Sequence, residues 1–320
     1  MERIGGNAAG NGAARSGGLL SVVLPAYNEE EMVPKTTEKL RRILDAENIP
    51  FELIFVDDGS KDATWERIAR ECAEDARVHG ISFSRNFGKE AAIFAGLKEA
   101  SGDCAAVMDC DLQHPPETLV TMYRYWQQGA EVVEGVKRTR GKESFFHRAA
   151  AKTFYGIMSS ATGTDMSRAS DFKLLDRKAV DSLLKMPERS SFFRAQSSWI
   201  GFQKEEVPFD VQEREAGISK WSLKSLTRYA VANIVGYSAA PMQFVTGAGV
   251  AVLVFAIILG IQTLVRYFGG KSVEGFTTVI LLILLIGSVI MISLGIIGFY
   301  IARIYEEVKG RPKYIVADKK

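Results

Sequence analysis

The sequence predicts an α/β domain with a mostly parallel sheet, followed by a C-terminal hairpin of two transmembrane helices. Three observations carry that reading. Four short apolar runs before residue 110 each break off at a polar or acidic cluster, and amphipathic stretches follow them. Met242–Val265 and Gly275–Ala302 contain no Asp, Glu, Lys, Arg or His. Lys and Arg gather outside those two runs, with few in the connector between them.

The first strand is Leu19–Pro25 (LLSVVLP), which passes through polar AYNEEE into a helical pattern ending near Leu44. Phe51–Val56 (FELIFV) is the second, stopped by Asp57-Asp58-Gly59-Ser60 ahead of an amphipathic stretch to Ala76. His79–Ser84 is the third, and Asn86-Phe87-Gly88 turns from it into a helix over Lys89–Ala100. Cys104–Met108 is the fourth, ended by Asp109, with a further helix after Pro115-Pro116. Apolar strands alternating with helices are buried on both faces, the pattern of a parallel sheet. Gly59, Gly88 and Gly96 read as turn or close-packing residues.

Each uncharged run, at about 1.5 Å rise per residue, exceeds the roughly 30 Å hydrocarbon thickness of a bilayer. Arg214, Lys220, Lys224 and Arg228 precede the first; Arg303, Lys309, Arg311 and Lys313 follow the second. The connector holds only Arg266 and Lys271, so the positive-inside bias puts the domain and both termini in the cytoplasm. The expected organisation is a disordered lead-in at 1–18, a cytoplasmic domain at 19–212 and a juxtamembrane amphipathic segment at 213–240. Spans at about 241–267 and 275–302 make up 241–303, and 304–320 is a cytoplasmic tail. Gly247, Gly249, Gly287 and Gly295 permit close helix contact, and a homo-oligomer is expected.

Composition excludes several classes. Forty Lys plus Arg against 38 Asp plus Glu leave a net charge of +2, without the basic excess of a nucleic-acid binder. Three scattered cysteines with no CxxC pair argue against a disulfide framework or a structural zinc, and fit a reducing compartment. No GxGxxG follows a strand and no GxxxxGK[ST] occurs, which removes the dinucleotide-binding and P-loop readings.

In parallel α/β sheets ligands bind beyond the C-terminal strand ends. Here those ends carry Asn28-Glu29, Asp57-Asp58, Ser84-Arg85-Asn86 and Asp109–Gln113. Asp109 and Asp111, two residues apart where the chain leaves the pleat, can reach one site. A few oxygen ligands of this kind suit Mg²⁺ or Mn²⁺ held largely by a substrate's phosphates. The competing reading is a solvated acidic turn, which the triplet alone favours. The acidic blocks at the neighbouring strand ends reverse that balance.

LPAYNEEE (Leu24–Glu31), VDDGSKDAT (Val56–Thr64), SRNFGKEAAIFAG (Ser84–Gly96) and DCDLQHPPE (Asp109–Glu117) resemble the successive blocks of family 2 glycosyltransferases. DFKLLDR from Asp171, GISKW from Gly217 and the closing RIYEEVKGRPKYIV extend the resemblance to the polyisoprenyl-phosphate branch, the bactoprenol glucosyltransferases. Cys110 stands where the family usually has Ala. The QxxRW motif of processive synthases is not present, since Gln196-Ser197-Ser198-Trp199 lacks the Arg.

The resemblance implies a GT-A-like nucleotide-diphospho-sugar transferase domain and a role for each matching residue. Pro25, Tyr27, Glu29, Val56 and Asp58 would line the base and ribose of a UDP-sugar, with Asp57 a close alternative to Asp58. Asp109 would sit by the ribose and phosphate, and Asp111 with Gln113 would hold the metal. Lys137, with Arg140, Arg214 and Lys220, would bind the phosphate of a polyprenyl lipid. Arg138, Lys142 and Lys224 read as flanking charges, and His114 as a turn residue. Asp171 falls at the position often proposed as base and, with Asp111, is expected to be catalytic. The implied activity is inverting transfer of one hexose, glucose from UDP-glucose, to undecaprenyl phosphate at the cytoplasmic face of the inner membrane, for cell-envelope glycan modification. UDP-GlcNAc, UDP-galactose or a modified pentose are alternative donors, and a catalytically inactive membrane scaffold is the rival of another class.

Overall fold

The computed structural model describes residues 15, 17–138, 156, 159–160, 170–188, 192–210, 240–269 and 275–320. They fall in two units, Met1–Ser222 with Pro312–Lys320, and Leu223–Arg311.

The first unit is built on β1 (Leu20–Ala26), β2 (Phe51–Asp57), β3 (Val78–Phe83) and β4 (Cys104–Val107). All four expected strands form, each within a residue or two of the boundaries its apolar run implied. The helices α1 (Met32–Ala46), α2 (Thr64–Glu74), α3 (Lys89–Glu99) and α4 (Pro116–Gln127) connect them or follow them. Four strands lay outside the sequence reading: β5 (Val132–Lys137), β6 (Lys173–Asp176), β7 (Lys204–Phe209) and β8 (Val316–Lys319). Two short helices, α5 (Arg177–Leu184) and α6 (Phe193–Trp199), flank the gap between β6 and β7. The sheet order is β7-β5-β6-β4-β1-β2-β3-β8. β1 pairs in parallel with both β2 and β4, and β2 with β3, whereas β6 runs antiparallel to β4 and β5.

Side chains alternate between the faces, as the two-residue period of a strand requires. Val22, Leu24, Leu53 and Phe55 pack with α1 and α4 residues such as Leu40, Leu44, Met122 and Trp126. Val23, Ile54, Val56 and Val107 face the other way, against Ile93 and Leu97 of α3 and Val180 and Leu183 of α5. Gly96 permits the closest approach on that side, because a Cβ there would stand 2.3 Å from Val23 Cγ1. Gly59 is demanded for two reasons, a φ of +67° and an Arg85 backbone atom 2.4 Å from its would-be Cβ.

Two features of register make the site. Val107, the last residue of β4, lies opposite Val23, while β1 continues to Ala26. The chain therefore leaves the sheet early at Asp109, beside the point where strand order switches from β2 to β4 around β1. Because β6 is antiparallel and starts with Lys173 opposite Val107, its approach segment brings Asp171 to the same edge.

At the C-terminus β8 pairs antiparallel with β3, with Ile81 opposite Lys319 and Phe83 opposite Val316. Tyr314 stacks on Phe83 with centroids 4.9 Å apart. The segment expected as a tail at 304–320 thus starts as helix and ends as an edge strand.

The second unit contains α7 (Ala240–Phe268) and α8 (Phe276–Val308). Met242–Arg266 and Leu285–Val308 have hydropathies of 2.6 and 2.3, and none of either stretch is buried. Both helices are long and apolar enough to cross a bilayer.

Candidate active site

The rim begins at β1. Asn28 takes a left-handed conformation (φ 53°), and its amide and side chain bridge to the loop after β2: its N donates to Ser60 Oγ at 2.8 Å, and its Oδ1 accepts from Lys61 N at 2.8 Å. Glu29 N donates to Thr64 Oγ1 at 2.8 Å. Pro25, Tyr27 and Glu29 are half-buried along this edge. Val56, by contrast, is fully buried in the core, in the cluster that includes Ile93 and Leu97 of α3.

Asp57 and Asp58 are both buried and both hold loops. Asp57 accepts from Ser60 N and from Ser82 Oγ, each at 2.9 Å. Asp58 accepts from Phe87 N at 2.7 Å and from Gly88 N at 2.9 Å, pinning the turn that starts α3. Burial pushes the Asp58 carboxyl up to about 6, against the pull of those two amides and with help from Asp57.

The turn after β4 places Asp109, Asp111 and Gln113 together. Leu112 has φ 56°, rare for a residue with a side chain and found at sites that constrain the backbone. That turn lets Asp111 Oδ1 accept from Gln113 N at 3.1 Å. Among the described residues no group of three or more His, Cys, Asp or Glu is gathered as a metal cage. His114 lies in the turn after β4. It is buried, stacked on Phe172 at 4.7 Å and edge-on to Phe209 at 5.5 Å, and burial lowers its pKa.

The electrostatic centre is a cluster that sequence reasoning missed. Lys89 Nζ lies 2.6 Å from Asp109 Oδ1 and 3.0 Å from Asp171 Oδ2. Arg194, on α6, donates from Nε to Asp171 Oδ1 at 2.7 Å and from Nη2 to Oδ2 at 2.9 Å. Burial alone would raise the Asp171 pKa, but Arg194 and then Lys89 outweigh it and hold the carboxyl well below the usual range. Asp109 is likewise held low, burial being overcome by Lys89 and His114. Lys89, despite its desolvation, is raised by Asp109 and Asp171. Glu90 accepts from Phe193 N at 2.8 Å, tying α3 to α6, and burial with the nearby Asp171 pushes its carboxyl up to about 7. One signal could have found Lys89: it directly follows a turn glycine at the strand-end rim. Arg194 had none, since α6 arrives from far along the chain.

A buried pair fixes the segment that carries Asp171. Glu134 and Lys173 stand 3.2 Å apart on neighbouring strands at 0% and 1% side-chain exposure. Glu134 also accepts from Ser170 N at 2.9 Å, and Ser170 Oγ donates to the Gly135 carbonyl at 2.6 Å. Lys137 is exposed at the end of β5, close enough to His114 for its charge to depress the imidazole. Arg140, Arg214 and Lys220 lie outside the described residues, as does the juxtamembrane segment.

The mostly parallel sheet, with acidic and cationic side chains gathered at its switch point where ligands bind, is GT-A-like. Residues 21–184 match the model of the family described as Glycosyl transferase family 2. The uncharacterized glycosyltransferase YkcC of Bacillus subtilis is 37% identical over 92% of this chain and 92% of its own. The SfII prophage-derived bactoprenol glucosyl transferase of Shigella flexneri is 37% identical over 93% of this chain and 97% of its own. In fold, the chain is similar to a mycobacterial protein of known crystal structure, with a TM-score of 0.50 at 21% identity over 74% of this chain and 80% of that one. The chain belongs to glycosyl transferase family 2 and is a glycosyltransferase.

Proposed function

We propose that this enzyme transfers a single glucose from UDP-glucose to polyprenyl phosphate, with inversion, at the cytoplasmic face of the inner membrane. The observation that carries this reading is the likeness to a bactoprenol glucosyl transferase, which extends through 93% of the chain. The share left over is shorter than either apolar helix, so the likeness includes the membrane hairpin as well as the site.

The lipid phosphate oxygen forms its bond to the anomeric carbon as the bond from that carbon to UDP breaks, and UDP leaves with the electron pair. A phosphate with its second pKa near about 6 is largely dianionic at neutral pH, so it needs alignment and charge neutralisation more than deprotonation. Lys137, Arg140, Arg214 and Lys220 supply that neutralisation. Asp171 is the catalytic carboxylate, and a dianionic nucleophile asks it for alignment. Pro25, Tyr27, Glu29, Asp57, Asp58 and the Val56 backbone form the nucleotide wall, with Asp109 nearer the ribose and phosphate.

The Asp111 carboxylate and the Gln113 amide oxygen are hard ligands on one turn, and so fit Mg²⁺ or Mn²⁺ shared with a diphosphate. When bound, the cation would offset charge developing on the leaving UDP. Both chain ends are cytoplasmic in this reading, because β8 joins the domain's sheet a few residues beyond the end of α8. Open flanks at Gly247, Gly249, Gly287 and Gly295, where a Cβ would meet nothing within 4 Å, support homo-oligomerisation through the helices.

The test is transfer of radiolabel from a panel of UDP-sugars to undecaprenyl phosphate by the full-length protein. Glucose should be preferred. Preference for N-acetylglucosamine, galactose or a pentose would reassign the donor, and no transfer at all would favour the scaffold reading.

A further inference from the structure

We propose that Lys89 is a positioning residue of the transfer reaction: by ion-pairing Asp109 and Asp171 together, it sets their spacing and keeps Asp171 a fixed anion that orients Arg194, not a proton acceptor. This rests on the transfer reaction proposed above. The β4–β6 ladder ends at Val107 opposite Lys173, two residues short of Asp109 and Asp171, so it brings the two carboxylates to one edge without itself joining them. Lys89 Nζ spans them, at 2.6 Å and 3.0 Å. The lysine is itself fixed, because it opens α3 directly after the turn pinned by Asp58.

The same contacts decide what Asp171 can do. Its two oxygens accept from Arg194 Nε, Arg194 Nη2 and Lys89 Nζ at 2.7, 2.9 and 3.0 Å. A carboxylate so engaged offers little basicity, but it holds a guanidinium in one orientation through a bidentate contact. The charged groups facing Asp171 are Lys89 and Glu90 from α3, Arg194 from α6, Asp109 from the β4 end, and Lys173 from its own strand. Of these, Lys89 contacts both walls.

The test compares wild type, Lys89→Met and Lys89→Arg as full-length protein in lipid nanodiscs with Mn²⁺, UDP-glucose and undecaprenyl phosphate. Lys89→Met should lower kcat ten- to a hundredfold while the donor KM moves less than threefold. Its acid limb should lie at higher pH than that of wild type, whose own limb follows the acceptor phosphate near about pH 6, and Lys89→Arg should restore the wild-type profile. Wild-type kcat with a wild-type pH profile in Lys89→Met would overturn the proposal. So would a tenfold loss of UDP-glucose binding, which would make Lys89 a direct donor contact. A second readout needs no turnover: the gap in Tm between wild type and Lys89→Met should be wide at pH 7 and should narrow as pH falls from about 4 toward 2. In an Asp171→Asn background the gap at pH 7 should shrink. If wild type transferred no sugar, the proposed function would fall, yet the Tm series would still decide whether Lys89 keeps Asp171 charged.

Discussion

Arg194 grips Asp171 at both oxygens, Nε at 2.7 Å and Nη2 at 2.9 Å, although 23 residues separate them in the chain. The carboxylate is 8% exposed and the guanidinium 27%, so the pair stands at the boundary of the domain interior. Each partner comes from an element that no local pattern would connect: Asp171 from the approach to an antiparallel strand, Arg194 from a helix of seven residues.

That pair should set an acid-dependent part of the stability. Asp171 is held well below its ordinary value by Arg194 and Lys89 against burial, so its contribution is full above about pH 4 and is lost as pH falls through the depressed folded value. Arg194→Met should lower Tm at pH 7, and the deficit should narrow as pH falls from about 4 toward 2. Breaking a buried pair costs about 3–5 kcal/mol, and the part-exposed guanidinium puts this one at the low end. Thermal unfolding followed by circular dichroism across that range is the check; an equal deficit throughout would mean lost packing.

The metal assignment predicts a clean separation of fold from activity. Asp111→Asn keeps the shape of the side chain at a loop position, so its unfolding curve should match wild type while transfer in Mg²⁺ or Mn²⁺ is abolished. EDTA should silence the wild-type enzyme, and readdition of either ion should restore it. Wild-type turnover in the mutant would remove Asp111 as ligand.

Acceptor binding should distinguish two nearby lysines. A lost charge-assisted contact to phosphate costs about 1.5–3 kcal/mol, or roughly ten- to a hundredfold. Lys220→Ala should therefore raise the polyprenyl phosphate requirement by that factor and leave UDP binding unchanged. Lys224→Ala should show only a modest loss of anionic-lipid attraction, about 1 kcal/mol. Titration of acceptor at saturating donor measures both; identical curves would erase the specific phosphate site.

Topology can be read with an impermeant thiol reagent in a Cys72→Ser background, where the remaining Cys104 and Cys110 are buried. A cysteine at Ser272, in the connector, should label in intact spheroplasts. A cysteine at Glu38, exposed on α1, should label only after permeabilisation. The opposite pattern would invert the positive-inside argument.

Much of this protein was legible one segment at a time. The apolar runs of β1 to β4 announce themselves because a parallel strand is buried on both faces, and the two long apolar helices because neither 242–265 nor 275–302 carries a charged residue. Acidic clusters at the strand ends marked the rim, since a sheet of this class exposes its C-terminal edge to ligand. Strands β5, β6 and β7 were not legible: VVEGVK, KLLD and KEEVPF bring charged residues into the sheet, where Glu134 meets Lys173 and Lys204. β8, as VADK, has only Val316 and Ala317 as apolar residues and pairs with the edge of β3. Asp109 and Asp171 could each be nominated from local motifs, but their meeting depends on the antiparallel direction of β6. Local pattern thus determined the first four strands, the two long apolar helices and the acidic strand ends, because burial and hydration act on neighbouring residues along the chain. Only the tertiary structure decided that Lys89 and Arg194 neutralise those acids, because charge pairing acts through space.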